Sequence, residues 1–380
     1  MTASRIPSVE GGIQPTLLTA KGDLLTASAT STVTNLPVGA DGQTLVANSA
    51  SASGLQWQSV LSPYAAGKNK IINGDFNINQ RSFSTTSTSA IYGFDRWKIS
   101  AGTGTFTYSA QTFTTGTAPV AGYEGVNFAR LVTSGQTSTS GYAGLQQPIE
   151  DVRVFANQTV TLSFWAKASS GTPKVQPTLE QIFGTSGSAG VQIAGTSVTI
   201  STSWARYSVT MNVPSISGKT IGVNNTLQVQ LYTSLGTDYP TYGNIGVQAA
   251  TIDFWGVQIE SGSVATAFQT ATGTFQGELA ACRRYLPAYT VNEWLGYAYA
   301  TNATLHMVNF DTPARVAPTG ITSSGTFTAY ALNVGTSVAI AFNVGSVNGA
   351  DIGTSGLTII AGQGSRLGGS GLILFTGCEL

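Results

Sequence analysis

Charge is the first thing this sequence has little of. Only 9% of its 380 residues are charged, and 17 Lys plus Arg balance 17 Asp plus Glu, for a formal net charge of zero; soluble domains usually carry about 25%. Without a basic excess there is no field to gather phosphates, which argues against nucleic-acid binding. The surface must be built from Thr, Ser, Gln, Asn and Gly, which suits extended β-structure better than a cytosolic enzyme that stays soluble through mixed Lys and Glu.

Histidine is nearly absent. A Ser-His-acid set would need His306 as its base, since it is the one histidine, and no G-x-S-x-G elbow is present. His306 lies in the alternating segment ATLHMVNF, which reads as a strand with a solvent-facing or hydrogen-bonded histidine. One histidine and two distant cysteines exclude a His/Cys metal site. Cys282 and Cys378 are too few for a disulfide scaffold; they read as small buried residues, with a late disulfide between them as the alternative.

Long apolar runs are missing too. MTASRIPSVEGG has no apolar h-region and no run of about 18 apolar residues occurs, so the expectation is a chain neither signal-exported nor membrane-inserting by its own sequence. Glycan cleavage needs two carboxylates about 5–10 Å apart. The acids here are scattered, and the one adjacent pair, Glu150-Asp151, sits beside Arg153 as solvated charge. AGQGSRLGG, with glycines at 362, 364, 368 and 369, fits neither phosphate-loop spacing and reads as a flexible hairpin or exposed tip loop. The chain is therefore expected to have no catalytic residues.

What is present is β-patterning. Residues 1–66 hold short apolar pieces cut by turns at Gly22-Asp23, Gly39, Asp41-Gly42 and Gly54, too little for an independent core; such a segment is expected to need other copies of the chain. From about residue 67 to 276 a period of two dominates. Val160, Leu162, Phe164 and Ala166 alternate with Thr161, Ser163, Trp165 and Lys167. Tyr207, Val209, Met211 and Val213 share one face, and Leu227, Val229 and Leu231 point inward with Gln228 and Gln230 outward. ATIDFWGVQIESG is apolar on both faces, as a central strand would be. Strands of this kind between Gly/Ser/Thr turns predict an antiparallel β-sandwich.

In NKIINGDFNINQR, Asn73-Gly74 predicts a turn, Phe76 and Ile78 the first strand of the sandwich, and Trp97 the start of another; Asp95 and Arg96 predict a part-buried charge pair. FQGELAACRRYLPAY has the one helical spacing and reads as a short helix or turn. Residues 277–380 continue as short strands, ATLHMVNF, GTFTAYAL, SVAIAFNV, GLTIIAG and GLILFTG, giving a small C-terminal β-domain. The fold class is thus all-β: an extended stem, a sandwich, and a last β-domain.

The chain resembles tail-fibre or receptor-binding proteins of tailed bacteriophages. AKGDLLTAS with LPVGADGQTLVANSASASGLQW looks like the virion-proximal repeat of such fibres. IINGDFNINQR, YGFDRW, VTLSFWAKA and IDFWGVQIESG look like their jelly-roll module, itself similar to carbohydrate-binding modules. ELAACRRYL and LILFTGCEL look like the junction and end of the C-terminal domain, although the family more often ends in Asp-Ala-Glu-Leu. The resemblance implies a homotrimeric fibre, residues 1–66 docked to the baseplate or tail, and distal β-domains facing a host surface glycan, lipopolysaccharide or capsule. It also implies a virion protein assembled in the host cytoplasm. Carbohydrate-binding jelly rolls often carry structural Ca2+, and Asp253 matches an acidic position of that site, but Asn77 stands where many modules have an acid; no cofactor is expected.

Non-catalytic glycan binding needs aromatic faces beside amides and hydroxyls. Two clusters qualify: Tyr239, Pro240 and Tyr242 in TDYPTYGN, and Trp294, Tyr297 and Tyr299 in NEWLGYAYA, the latter in the segment expected to be distal. The functional expectation is host adhesion, with a structural baseplate component and a capsule depolymerase as alternatives.

Overall fold

The computed structural model describes residues 17–39, 43–59, 67–120, 122–243, 245–291, 293–331 and 334–380. The chain divides into two compact units, residues 1–63 and 64–380. The sequence-based bound at 66/67 falls close to this division, and the bound at 276/277 lies inside the second unit.

The first unit contains two hairpins, β1 (Leu24–Ala29) with β2 (Thr32–Leu36) and β3 (Gln43–Ala47) with β4 (Leu55–Ser59). Asp23 organises the first turn. Its carboxylate accepts from the Thr19, Ala20 and Val38 amides and from Asn35, and these bonds hold its pKa below the usual range. Leu24, Leu25, Val33 and Val38 remain exposed, as expected of hairpins too small to bury their own apolar side chains.

The second unit opens with the sandwich. Its strands are β5 (Thr85–Thr86), β6 (Lys98–Gly102), β7 (Thr105–Thr112), β8 (Asn127–Ser134), β9 (Tyr142–Ile149), β10 (Gln158–Ala168), β11 (Lys174–Ile182), β12 (Val191–Ala194), β13 (Val198–Thr199), β14 (Ala205–Val213), β15 (Thr226–Leu235) and β16 (Ala250–Ser261). One sheet runs β14-β10-β16-β8-β7-β5 and the other β12-β11-β15-β9-β6, with β13 on β11. The alternation on β14 is as expected: Val209, Met211 and Val213 are buried, while Ser208, Thr210 and Asn212 are exposed. β16, apolar on both faces, lies between β10 and β8. Leu162, Phe164, Leu227, Val229, Leu231 and Phe254 meet in the core between the sheets.

The Asn73–Trp97 region departs from expectation. Phe76 and Ile78 are buried but belong to no strand. Asn73 and Phe76 take positive φ, 57° and 56°. The Asn73 amide donates to the Ile78 and Asp95 carbonyls, and its oxygen takes the Ile78 amide. The fold is held by aromatic packing: Phe76 lies 5.4 Å from Phe94 and 5.1 Å from Trp97 between ring centroids. Trp97 does immediately precede a strand, β6.

Asp95 and Arg96 are not paired with each other. Asp95 takes Arg81 at 3.2 Å and Gln80 at 2.7 Å. The guanidinium of Arg96 lies 3.5 Å over the Tyr285 ring. Adjacent side chains diverge here because Arg96 sits at φ 71°.

The predicted helix is α1 (Phe275–Arg283). Thr274 caps it by accepting from the Gly277 amide, and Glu278 lies in its first turn. Glu278 also accepts from the Asn73 and Thr272 amides at 2.7 Å, which fastens the helix to the NGDF turn. Beyond it come β17 (Ala288–Thr290), β18 (Glu293–Ala300), β19 (Ala303–Asn309), β20 (Gly320–Ser324), β21 (Phe327–Ala331), β22 (Val334–Ser337), β23 (Ile340–Ser346), β24 (Gly349–Ser355), β25 (Gly364–Gly369) and β26 (Leu372–Thr376). They form a three-stranded sheet, β17-β26-β20, and a seven-stranded sheet, β22-β21-β25-β18-β19-β24-β23. The all-β class holds, and no described helix is long and apolar enough to cross a membrane.

Two assignments in this region are corrected. Gly364–Gly369 is no tip loop but a strand paired on both sides, to β21 and β18; its glycines admit close neighbours, since a Cβ on Gly369 would lie 2.2 Å from the Thr326 carbonyl oxygen. GLTIIAG forms no strand: Leu357 and Ile359 bond instead to the Asn302 and Thr301 carbonyls. Cys282 and Cys378 are both buried and free. His306 is fully buried, bonded through Nε2 to the Thr304 hydroxyl and through Nδ1 to the Trp294 carbonyl.

Candidate functional site

The face of the β12-β11-β15-β9-β6 sheet turned away from the core carries a polar cavity. Alternation decides which residues reach it. With Leu227, Val229 and Leu231 in the core, Gln228, Gln230 and Tyr232 of β15 face the other way. Register then places Gln230 between Thr178 of β11 and Gln146 of β9, with Lys98 of β6 next in line. Gln228 stands beside Glu180, and Tyr232 beside Gly144, which lies opposite Ser100. Gly144 has to be small, because a Cβ there would lie 2.7 Å from the Tyr232 ring.

Gln228 and Gln230 face outward from the core as expected, yet they are buried. The loop after β15 covers them. Its Gly236 amide bonds to the Gly141 carbonyl, Asp238 to the Thr139 carbonyl, and the Tyr242 carbonyl accepts from Thr178. The loop brings Tyr239 and Tyr242 against Tyr142 and Tyr232. Tyr142 and Tyr239 meet edge to face at 5.3 Å, and Tyr232 and Tyr242 at 6.0 Å.

The resulting cavity of about 340 Å³ is lined by these four tyrosines with Lys98, Ser100, Gln146, Glu180, Gln228, Gln230 and Leu235. Its amides are chained together. Gln228 donates to Gln146, Gln146 to the Tyr232 hydroxyl, and Gln230 to Glu180 at 3.2 Å. Gln192 donates to both Glu180 and the Tyr242 hydroxyl. One buried acceptor, Oε1 of Gln230, has no partner.

Burial raises the phenol pKa values of Tyr232 and Tyr242, with Glu180 adding to the latter, and desolvation lowers that of Lys98. Tyr232 and Tyr242 are therefore neutral hydroxyls at physiological pH. Glu180 is the one carboxylate in the lining, and two amides already hold it. A wall of half-buried rings, an amide floor and a single carboxylate can hold a polyhydroxylated ring and supply no acid–base pair.

Of the residues singled out from the sequence, Tyr239 and Tyr242 lie in this cavity. Trp294, Tyr297 and Tyr299 are on β18, and they do not form one surface: Tyr297 and Tyr299 are exposed, while Trp294 points to the opposite face and packs on the C-terminal core. Sequence reasoning missed Tyr142, Gln146, Glu180 and Tyr232. The signal was available in Gln228-x-Gln230-x-Tyr232, a polar face on which every second residue is an amide or an aromatic.

Asp253 is held by cations from two neighbouring strands, Arg130 at 2.6 and 2.9 Å and Lys167 at 3.8 Å. Asn77 lines a separate cavity of about 150 Å³ with Asp75, Tyr123 and Glu278. Among the described residues no cluster of three or more His, Cys, Asp or Glu is placed to hold a metal.

No family model matches the sequence, and no curated protein matches it. Solved structures that resemble part of the fold include a family 11 carbohydrate-binding module from Clostridium thermocellum in complex with a β-1,3-1,4-mixed-linked tetrasaccharide, 14% identical, covering 49% of this chain and 99% of that one at a TM-score of 0.30. A xylan-binding domain from Paenibacillus barcinonensis is 16% identical over 53% of this chain and 100% of that one, at 0.29. A putative sugar-binding protein from Bacteroides thetaiotaomicron is 14% identical over 51% of this chain and 100% of that one, also at 0.29.

Proposed function

We propose that this chain is a non-catalytic glycan-binding protein whose site is the tyrosine-walled cavity over β15. The observation that carries this reading is the meeting of four phenol rings with a floor of glutamine amides in one cavity. The apolar face of a sugar ring packs on tyrosine, while its hydroxyls pair with the phenol and amide groups of the lining. The lone, already-bonded Glu180 favours binding over cleavage.

We further propose that the protein serves as a tail-fibre adhesin of a virion. The residue patches that resemble such fibres support this, together with an N-terminal unit that leaves its apolar side chains exposed. In this reading the chain is a homotrimer, residues 1–66 dock to a tail or baseplate protein, and the cavity takes a host surface glycan, lipopolysaccharide or capsule. Three sites per fibre would let weak binding suffice.

The test is binding of purified full-length chain to host-surface polysaccharide by calorimetry, with Tyr242→Ala and Gln230→Ala. Loss of a packed aromatic anchor is expected to weaken binding about tenfold, close to 1.4 kcal/mol. Binding that both variants leave intact would move the site elsewhere, and release of reducing ends would replace adhesion with hydrolysis.

A further inference from the structure

Arg96 is the one described arginine that is almost wholly buried, 1% exposed, and no carboxylate pairs with it. The neighbouring carboxylate, Asp95, is committed to Arg81 and Gln80. A guanidinium has five N–H donors. Here Nη2 donates to the Pro148 carbonyl, while Nε and Nη1 have no partner. One face of the group is stacked on Tyr285, which fixes its plane. A buried charge without a counter-ion is among the costliest arrangements a protein can hold, and positive φ at the same residue adds strain of the kind that gathers at binding sites.

Beside it lies a cavity of about 250 Å³, whose lining includes Arg96, Lys70, Asn69, Gln147, Thr272 and Tyr285. Glu150 also lines it, but this carboxylate is already taken by Arg284 at 3.0 Å and by the Tyr285 hydroxyl at 3.0 Å. The charge left uncompensated is positive.

We propose that this cavity, between the DRW turn and α1, binds an anionic oxygen group, a carboxylate or a phosphate, whose charge compensates the buried guanidinium of Arg96 in the cavity wall while Lys70 adds charge at the surface. The site is separate from the tyrosine-walled cavity: the two linings share no residue. Its occupant is a small acid or the acidic substituent of a larger molecule, recognised by charge and donor geometry.

The experiment titrates inorganic phosphate and, separately, glucuronate into full-length protein at ionic strength held constant with sodium chloride, reading heat and melting temperature. Saturable binding and stabilisation by either ligand is expected; phosphate alone identifies a tetrahedral anion and glucuronate alone a carboxylate. Arg96→Gln is expected to abolish binding. If that variant does not fold, Lys70→Ala, a change at an exposed side chain, decides: a loss of roughly threefold is expected for one surface charge. Tyr242→Ala should leave anion binding unchanged, which separates this proposal from the glycan site. No saturable response beyond chloride, or equal binding by Arg96→Gln or Lys70→Ala, overturns it.

Discussion

At the residue scale, Asp95 shows how partners distant in sequence set a chemical property. It is wholly buried, and desolvation pushes its pKa up to about 6, opposed by Arg81 and Gln80, with Glu379 adding a repulsive contribution. The folded pKa is raised above the unfolded one, so between pH of about 4 and 6 the native state holds a proton that the unfolded chain has released. Stability from this group is therefore full below about pH 4 and falls as pH rises through 6, by on the order of 2–3 kcal/mol. Asp95→Asn should remove that slope. Denaturant melts at pH 4, 5, 6 and 7 compare the two proteins; an identical pH dependence would show that Asp95 ionises normally. The sequence shows Asp95 beside Arg96 and suggests that they pair, but Arg81 and Glu379 supply the charges that matter, the latter from the far end of the chain.

At the scale of the element, alternation was legible and local irregularity was not. β14 follows from its own residues because one buried face imposes a period of two, and β16 because a strand between two others, covered on both sides, is apolar on both faces. The NGDF segment does not, because Asn73 and Phe76 take turn conformations stabilised by Trp97 and Glu278, neither of which is nearby in sequence. Gly364–Gly369 looked like a loop by composition yet pairs on both sides, where small residues fit between crowded strands. The loop over the tyrosine-walled cavity offers a test of its own. A Cβ on Gly236 would lie 2.0 Å from the Thr139 carbonyl oxygen, so Gly236→Ala should displace the segment that carries Tyr239 and Tyr242. Glycan affinity is expected to fall about tenfold while the global melting transition persists. Unchanged affinity would mean that the tyrosines of this loop do not contact the ligand.

At the scale of the molecule, the two compact units differ in what supports them. The sandwich and the C-terminal sheets have continuous apolar cores, whereas residues 17–39 and 43–59 show hairpins with exposed leucines and valines. A chain beginning at Tyr64 is expected to melt at the same temperature as the full-length protein, and light scattering should show it losing the self-association proposed for the complete chain. A truncated protein of unchanged assembly mass would place the contacts between copies in the second unit.

Some of this was determined by the sequence alone. Low charge, period-two apolar spacing and turn-forming residues are local properties, and they were enough for the all-β class, the central place of β16 and the short helix after the sandwich. The tyrosine and glutamine side chains of the cavity and the isolation of Arg96 were decided only by tertiary structure. Burial and hydrogen-bond satisfaction depend on strand register and loop docking, which bring together residues as far apart as Lys98 and Tyr242. No spacing along the chain records such a meeting.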